Sequence, residues 1–196
     1  MLRIAVLAST NGTDLQAIID EIVAGRLNVE LTCVVSNKKK CYALERAQQQ
    51  GYKTYFIDPK GKTREEFDAQ MVALLQTERV DLVVLVGYMK ILTPLFVRAF
   101  PQRIINVHPA LIPKYSGKDF FGASVHEAVL KSGDAETGMT IHYVDEGVDS
   151  GEIIMQKKCP VLPGDTVETL KARVQALEKE WYPKAIAQIA NASATS

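Results

Sequence analysis

The chain opens on Arg3-Ile-Ala-Val-Leu-Ala-Ser-Thr-Asn-Gly-Thr-Asp-Leu-Gln16, and this stretch decides the fold. Arg3 to Ala8 is an apolar run of the length of a buried strand. Ser9-Thr-Asn-Gly12 follows as a turn. From Asp14 to Ala24 the residues Leu15, Ile18, Ile19, Ile22 and Val23 recur at helical spacing. Thr13 with Gln16 three residues later reads as a capping box, and Gly25 stands where a helix C′ glycine belongs. A buried strand entering a helix through a short polar turn is the first half of a β–α–β unit.

The alternation continues outward. Strands are predicted at Val29 to Val35, Tyr52 to Ile57, Asp81 to Val86 and Arg103 to Val107. Helices are predicted at Tyr42 to Gln50, stopped by Gly51, and at Thr63 to Thr77, opened by Thr63 and Glu66. A short one follows at Pro94 to Ala99, with proline at a tolerated early position. Runs apolar on both faces, separated by helices, mean a parallel sheet covered on both sides, with right-handed crossovers. Ligands in such sheets gather beyond the carboxyl ends of the strands. The loops to examine therefore begin at Ser9, Ser36, Asp58, Gly87 and His108.

After Pro109 the texture changes. Pro109, Pro113, Gly117 and Gly122 mark residues 109 to 122 as a long functional loop. A helix is expected from Phe121 to Lys131, then two strands, Thr137 to Val144 and Glu152 to Lys158, joined by a turn from Asp145 to Gly151. A long final helix, Asp165 to Ala190, is expected with Asp165 and Glu168 capping it, and Pro183 predicts a kink or break. The fold class is thus α/β: an open, mostly parallel twisted sheet with helices on both faces, ending in an antiparallel strand pair and a long helix. Residues 1–190 form one catalytic-sized domain, and 191–196, small and polar, are expected to fray.

Composition bounds the function. Of 196 residues, 23 are Lys or Arg and 23 are Asp or Glu, a balance without the basic excess of a nucleic-acid binder. Apolar residues at 47% are those of an ordinary globular chain. No apolar stretch reaches the ~20 residues of a membrane span, and the chain starts on a strand without a signal-peptide core. A cytoplasmic protein with neither nucleic-acid nor membrane partner is expected, as a monomer or a homodimer. Cys33, Cys41 and Cys159 are odd in number and show no Cys-x-x-Cys spacing, so no disulfide framework follows.

Three stretches can carry chemistry. Ser9 to Leu15 brings free backbone N–H groups and a helix dipole together, and Gly12 permits close approach of a ligand. With one glycine and no Gly-Lys-Ser/Thr it suits a single phosphate, or else it is an ordinary helix start. In Arg103-Ile-Ile-Asn-Val-His-Pro109, Asn106 and His108 lie two apart and so point to the same side at the strand's end. An amide donor beside an imidazole can polarise a carbonyl and move a proton; a histidine in such a place is otherwise a satisfied core residue. Asp145-Glu-Gly-Val-Asp-Ser-Gly151 is either an acidic surface turn or the source of a carboxylate for His108. His108, His126 and His142 share no zinc-type spacing, and no metal is expected.

Together these stretches resemble the folate-dependent formyltransferases. Asn106-Val-His108-Pro109-Ala-Leu-Ile-Pro113, with Lys114, Tyr115 and Gly117 after it, looks like that family's hallmark, and Asp149-Ser-Gly151 like its aspartate signature. Gly87-Tyr-Met-Lys-Ile-Leu92 resembles its folate-pocket strand end. Ser9 to Leu15 followed by Gln16-Ala-Ile resembles the phosphate loop of the branch acting on 5-phosphoribosylglycinamide in de novo purine biosynthesis. The likeness runs from about residue 3 to about residue 185 and implies the family's Rossmann-like fold. It implies formyl transfer from 10-formyltetrahydrofolate, as co-substrate, to the amine of 5-phosphoribosylglycinamide through a tetrahedral intermediate.

It also implies roles. Asn106, His108 and Asp149 would be catalytic, with Asn106 and protonated His108 on the oxyanion and Asp149 paired with His108. Gly12, Thr13 and Asp14 would hold the phosphate. Gln175 and Glu178 would meet the amine end. Arg64, Met89, Lys90, Ile91 and Leu92, together with Asn106, would line the folate site. Three positions depart from the pattern: Thr10 stands where glycine is frequent, Asp14 where asparagine is usual, and Lys90 where arginine is common. A carboxylate at Asp14 suits the helix dipole but repels a phosphate dianion.

Two other readings compete. A 10-formyltetrahydrofolate hydrolase uses the same three residues but resembles this chain with a further domain in front; strand one at residue 3 is expected to leave no room for it. A phosphate- or nucleotide-binding module without catalysis would make Asn106, His108 and Asp149 structural.

Overall fold

The computed structural model describes residues 1–195. Thirteen elements follow in order: β1 (Leu2–Ala8), α1 (Thr13–Val23), β2 (Val29–Ser36), α2 (Tyr42–Gln49), β3 (Thr54–Phe56), α3 (Arg64–Thr77), β4 (Leu82–Val86), α4 (Pro94–Ala99), β5 (Ile104–His108), α5 (Ala123–Ser132), β6 (Glu136–Tyr143), β7 (Ile153–Pro160) and α6 (Val167–Ala194). The strands form one sheet in the order β3-β2-β1-β4-β5-β6-β7. The pairings from β3 through β5 are parallel, and β5–β6 and β6–β7 are antiparallel.

The sheet separates two apolar cores. Alternate residues of β1 divide between them: Ile4 and Val6 face Leu15, Ile18 and Ile19 of α1, Ala43 and Ala47 of α2, and Val174 and Tyr182 of α6. Ala5 and Leu7 face Phe67, Met71 and Leu75 of α3 and Phe96 of α4. Period-2 alternation on a strand buried on both faces demands apolar residues at every position, which is why β1 and β4 read as continuous runs.

Local signals set most boundaries. Thr63 and Glu66 form a reciprocal capping box at α3, as expected. Gly25 (φ +74°) ends α1 in a Schellman arrangement, its N–H donating to Ile22 and that of Arg26 to Glu21. Two caps differ from expectation. Thr13 is not the cap of α1: Gly12 is, in the left-handed region, and no side chain caps the helix, so the first N–H groups stay open. At α6 the cap is Thr166, boxed with Thr169, while Asp165 takes a bidentate pair from Arg173 (2.6 and 2.9 Å). α6 runs through Pro183 without a break and continues to Ala194, so residues 191–194 of the expected frayed tail are helical; Ser196 lies outside the described residues.

Tyr182 is the deepest polar anchor of α6. Its hydroxyl is completely buried and donates to the Leu85 carbonyl at 2.8 Å, with the Ile105 carbonyl at 3.2 Å, which ties the helix to both β4 and β5. Replacing Tyr182 with Phe is expected to cost about 1–2 kcal/mol. That is a fall in Tm of roughly 2–4 °C per kcal/mol for a chain of this size. An unchanged melting curve would show that the hydroxyl does not fasten α6.

Candidate active site

The strand order reverses between β1 and β4. The chain leaves β1 toward α1 on one face and leaves β4 toward α4 on the other. A crevice necessarily opens where the two connections part. It holds a cavity of about 660 Å³ lined by the ends of β1, β4 and β5, by the 117–122 segment, by the 145–149 turn and by one face of α6.

Ser9 fixes the two walls. Its hydroxyl donates to Asn37 at 2.6 Å and accepts from the Met89 N–H at 3.0 Å, which joins the β1, β2 and β4 loops. Thr10 fits because Gly87 has no side chain; a Cβ there would meet the Thr10 hydroxyl at 2.3 Å. Arg46 of α2 donates to the Asn11 carbonyl at 2.6 Å and holds the loop from outside. Gly12, Thr13 and Asp14 line the cavity at the open N-terminus of α1, where unpaired N–H groups and the helix dipole favour an anion. Lys171, which the sequence did not single out, is a further cation in the lining. It lies four and seven residues before Gln175 and Glu178 on α6, and all three line the cavity. That spacing was the available signal.

Asn106, His108 and Asp149 line the same cavity, with His142 beside them. Asn106 and His142 are register partners on β5 and β6. Burial pushes His142 down from its ordinary value, so its ring is neutral near neutral pH. Its Nδ1 contacts the Tyr143 carbonyl at 2.9 Å and must carry the proton, because a carbonyl only accepts. Its Nε2 is then an acceptor and takes the Asn106 amide at 3.5 Å. This orients the Asn106 nitrogen, and its second hydrogen is left for the cavity. For the same reason the 3.7 Å approach of His142 to Asp149 is no ion pair.

His108 is held differently. Its Nε2 lies 2.6 Å from the Tyr115 carbonyl and donates to it, which turns Nδ1 toward Asp149 at 3.5 Å. The Asp149 carboxylate also accepts from the Gly117 N–H at 3.0 Å. The three carboxylates of the acidic turn separate by task. Asp145 accepts from the Gly147 N–H and the Ser150 hydroxyl and shapes the turn, Glu146 pairs with Arg98, and Asp149 enters the cavity. The turn needs Gly151, where a Cβ would fall 1.8 Å from the Tyr143 carbonyl.

Met89, Lys90, Ile91 and Leu92 line the cavity; Met89 and Ile91 are half exposed, Leu92 is buried, and Lys90 Nζ lies 5.0 Å over the Phe67 ring. Arg64 is not in the wall. It donates from one terminal nitrogen to the Ile91 carbonyl at 3.0 Å and so braces this rim from behind. His126, unassigned by the sequence, lines the cavity with its Nδ1 buried and without a partner among the described residues, and burial pushes its ring down to about 4. Among the described residues no three His, Cys, Asp or Glu side chains are gathered as metal ligands. No helix is long and apolar enough to cross a membrane.

A crevice at a strand-order reversal, with an oriented amide, an imidazole–carboxylate pair and an open helix N-terminus, defines a group-transfer site on an α/β sheet. The formyl transferase family matches residues 2–186, and the chain belongs to that family. Among curated relatives it is 42% identical over 187 residues to the phosphoribosylglycinamide formyltransferase of Haemophilus influenzae, covering 95% of this chain and 86% of that one. It is 38% identical to the Escherichia coli protein of the same name, covering 97% and 88%. It is also 42% identical to a trifunctional purine biosynthetic protein adenosine-3 of Drosophila pseudoobscura pseudoobscura, spanning 96% of this chain but 14% of that one. Among solved structures, glycinamide ribonucleotide transformylase 1 from Symbiobacterium toebii superposes with a TM-score of 0.93 at 41% identity, covering 98% of this chain and 89% of that one.

The loop geometry can be tested directly. At Gly12 (φ +68°) an added Cβ would lie 2.7 Å from the Ala43 Cβ and 3.0 Å from its Cα. Gly12→Ala is expected to cost about 2 kcal/mol, from the left-handed backbone and the forced displacement of α2. Thermal unfolding reads this; a wild-type Tm would mean the loop is not locked against α2.

Proposed function

We propose that this chain transfers a formyl group from 10-formyltetrahydrofolate to the amine of 5-phosphoribosylglycinamide, a step of purine biosynthesis. The observation that carries this reading is the joining of two unlike subsites in one cavity. The anion-ready N-terminus of α1, with Lys171 in the same lining, shares the cavity with Asn106, His108 and Asp149. A phosphorylated substrate with a reactive amine needs both.

The chemistry follows from the residues. The amine is its own nucleophile, so no serine or cysteine is required; the free Cys33, Cys41 and Cys159 are buried. Attack on the formyl carbon places negative charge on its oxygen. The Asn106 amide, already oriented by His142, supplies a hydrogen bond there, and His108, when protonated, sets a positive charge beside it in the same cavity. The Tyr115 carbonyl and Asp149 hold the His108 ring in place, so little reorganisation is needed as charge develops. The attacking nitrogen must lose a proton and the leaving nitrogen gain one, and Asp149, beside His108, is positioned to carry it. Gly12, Thr13 and Asp14 with Lys171 take the phosphate, Gln175 and Glu178 the amine-bearing end, and Met89 to Leu92 the folate. Arg64 serves the folate side indirectly, through Ile91. A cytoplasmic enzyme, monomeric or homodimeric, with small-molecule partners and neither nucleic-acid nor membrane partner, completes the proposal.

Purified protein with 10-formyltetrahydrofolate is expected to show the folate absorbance change only when 5-phosphoribosylglycinamide is present. Equal turnover without the amine would make it a hydrolase, and none in either case a binding module. Asn106→Ala is expected to lower kcat about 100-fold or more, on the scale of ~3 kcal/mol for one oxyanion donor, with Tm unchanged. Wild-type turnover would remove Asn106 from the mechanism.

A further inference from the structure

Two carboxyl groups stand side by side in the cavity: Asp14 on the first turn of α1 and Glu178 on α6. They are 6% and 8% exposed and within hydrogen-bonding reach of each other. Asp14 Oδ1 is buried and receives no hydrogen bond from the described residues. Ionised carboxylates only accept, so two of them cannot bond. A proton between them removes the conflict.

The other charged groups nearby leave that conflict in place. On α6, Lys171 and Lys179 favour the ionised forms, while Tyr182 is committed to backbone carbonyls. On α2, Arg46 is spent on the Asn11 carbonyl and Gln16. On α5, His126 is neutral, and on β5, His108 faces Asp149. Burial pushes Asp14 up to about 6. It lifts Glu178 well above the usual carboxylate range, with the charge of Asp14 adding to the effect.

Resting on the reading of this cavity as a formyl-transfer site, we propose that Asp14 and Glu178 hold one proton between them, and that this proton sets the affinity of the adjoining loop for the substrate phosphate. With it, the pair carries one negative charge, which the α1 dipole and Lys171 offset. Without it, a second buried negative charge faces the phosphate dianion at the same helix end, and binding weakens. Asp14 thus makes substrate affinity depend on pH. An asparagine would donate to Glu178 without carrying charge.

The test is KM and kcat for 5-phosphoribosylglycinamide from pH 5.5 to 8.5, in the wild type and in Asp14→Asn, with calorimetric titration of inorganic phosphate over the same range. Ionisation of the substrate itself enters both proteins equally and cancels in their ratio. The wild-type KM and phosphate Kd are expected to rise relative to Asp14→Asn with pH, approaching about tenfold per unit for one linked proton. Parallel profiles would overturn the proposal. Both carboxyls titrate higher in the fold than in the unfolded chain. The folded state therefore binds more protons, and wild-type stability falls as pH rises above the ordinary carboxylate range. The Tm of Asp14→Asn should gain on the wild type between pH 5 and 8, and a constant difference counts against the shared proton. If Asp14→Asn does not fold, Glu178→Gln takes its place in every comparison. If no formyl transfer occurs at any pH, the function reading fails alone, and the phosphate titration still decides the shared proton.

Discussion

Everything in this structure depends on the parting of the chain between β1 and β4. β4 is wholly apolar, β1 is apolar but for Arg3 near its start, and the two pair in parallel, so neither end can be satisfied by a tight hairpin. One connection must go to each face. The gap between them exposes the N-terminus of α1 and the backbone of residues 87–92 to the same volume, and β5 delivers Asn106 and His108 beside them. The antiparallel β6 then brings His142 across from Asn106, and its turn to β7 returns Asp149 to the cavity. Phosphate-type and carbonyl-type chemistry meet here because the sheet forces their loops together.

The sequence was most legible where the physics is local. Apolar runs marked the central strands β1, β2, β4 and β5, and the Thr63–Glu66 box and the glycines after α1 and α2 marked helix ends, because these depend on neighbours within a few residues. It was least legible where a distant partner decides. Thr13 looked like a cap, but packing of the loop against Ala43 makes Gly12 the cap and leaves the N–H groups free. Asp165 looked like a cap until Arg173, two turns away, claimed it. Arg64 was expected to line the folate site, and the structure sets it behind the Ile91 carbonyl, a contact between residues 27 apart that the sequence does not show. Lys171 went unnoticed because one lysine among 23 basic residues has no meaning until the face of α6 is known. The alternation of Leu170, Val174, Glu178 and Tyr182 on that face shows the other side of this point. A carboxyl within a buried helical stripe was visible, but its partner Asp14 was not.

The three histidines share one cavity and are made different by what faces each ring. His126 has a buried nitrogen with no hydrogen-bond partner among the described residues, and burial keeps the ring neutral. His142 donates through Nδ1 to its own strand's carbonyl and presents a lone pair to the Asn106 amide, so it fixes a donor without competing as one. His108 alone has acceptors on both sides, the Tyr115 carbonyl and the Asp149 carboxylate. Only that ring is set to carry a proton toward the cavity and to pass it to a carboxylate. The division matters because a second cationic ring beside Asp149 would compete for it and weaken its hold on His108. Burial of His142 prevents that competition, so the neutral histidine is as much a condition of the proposed chemistry as the one that moves the proton.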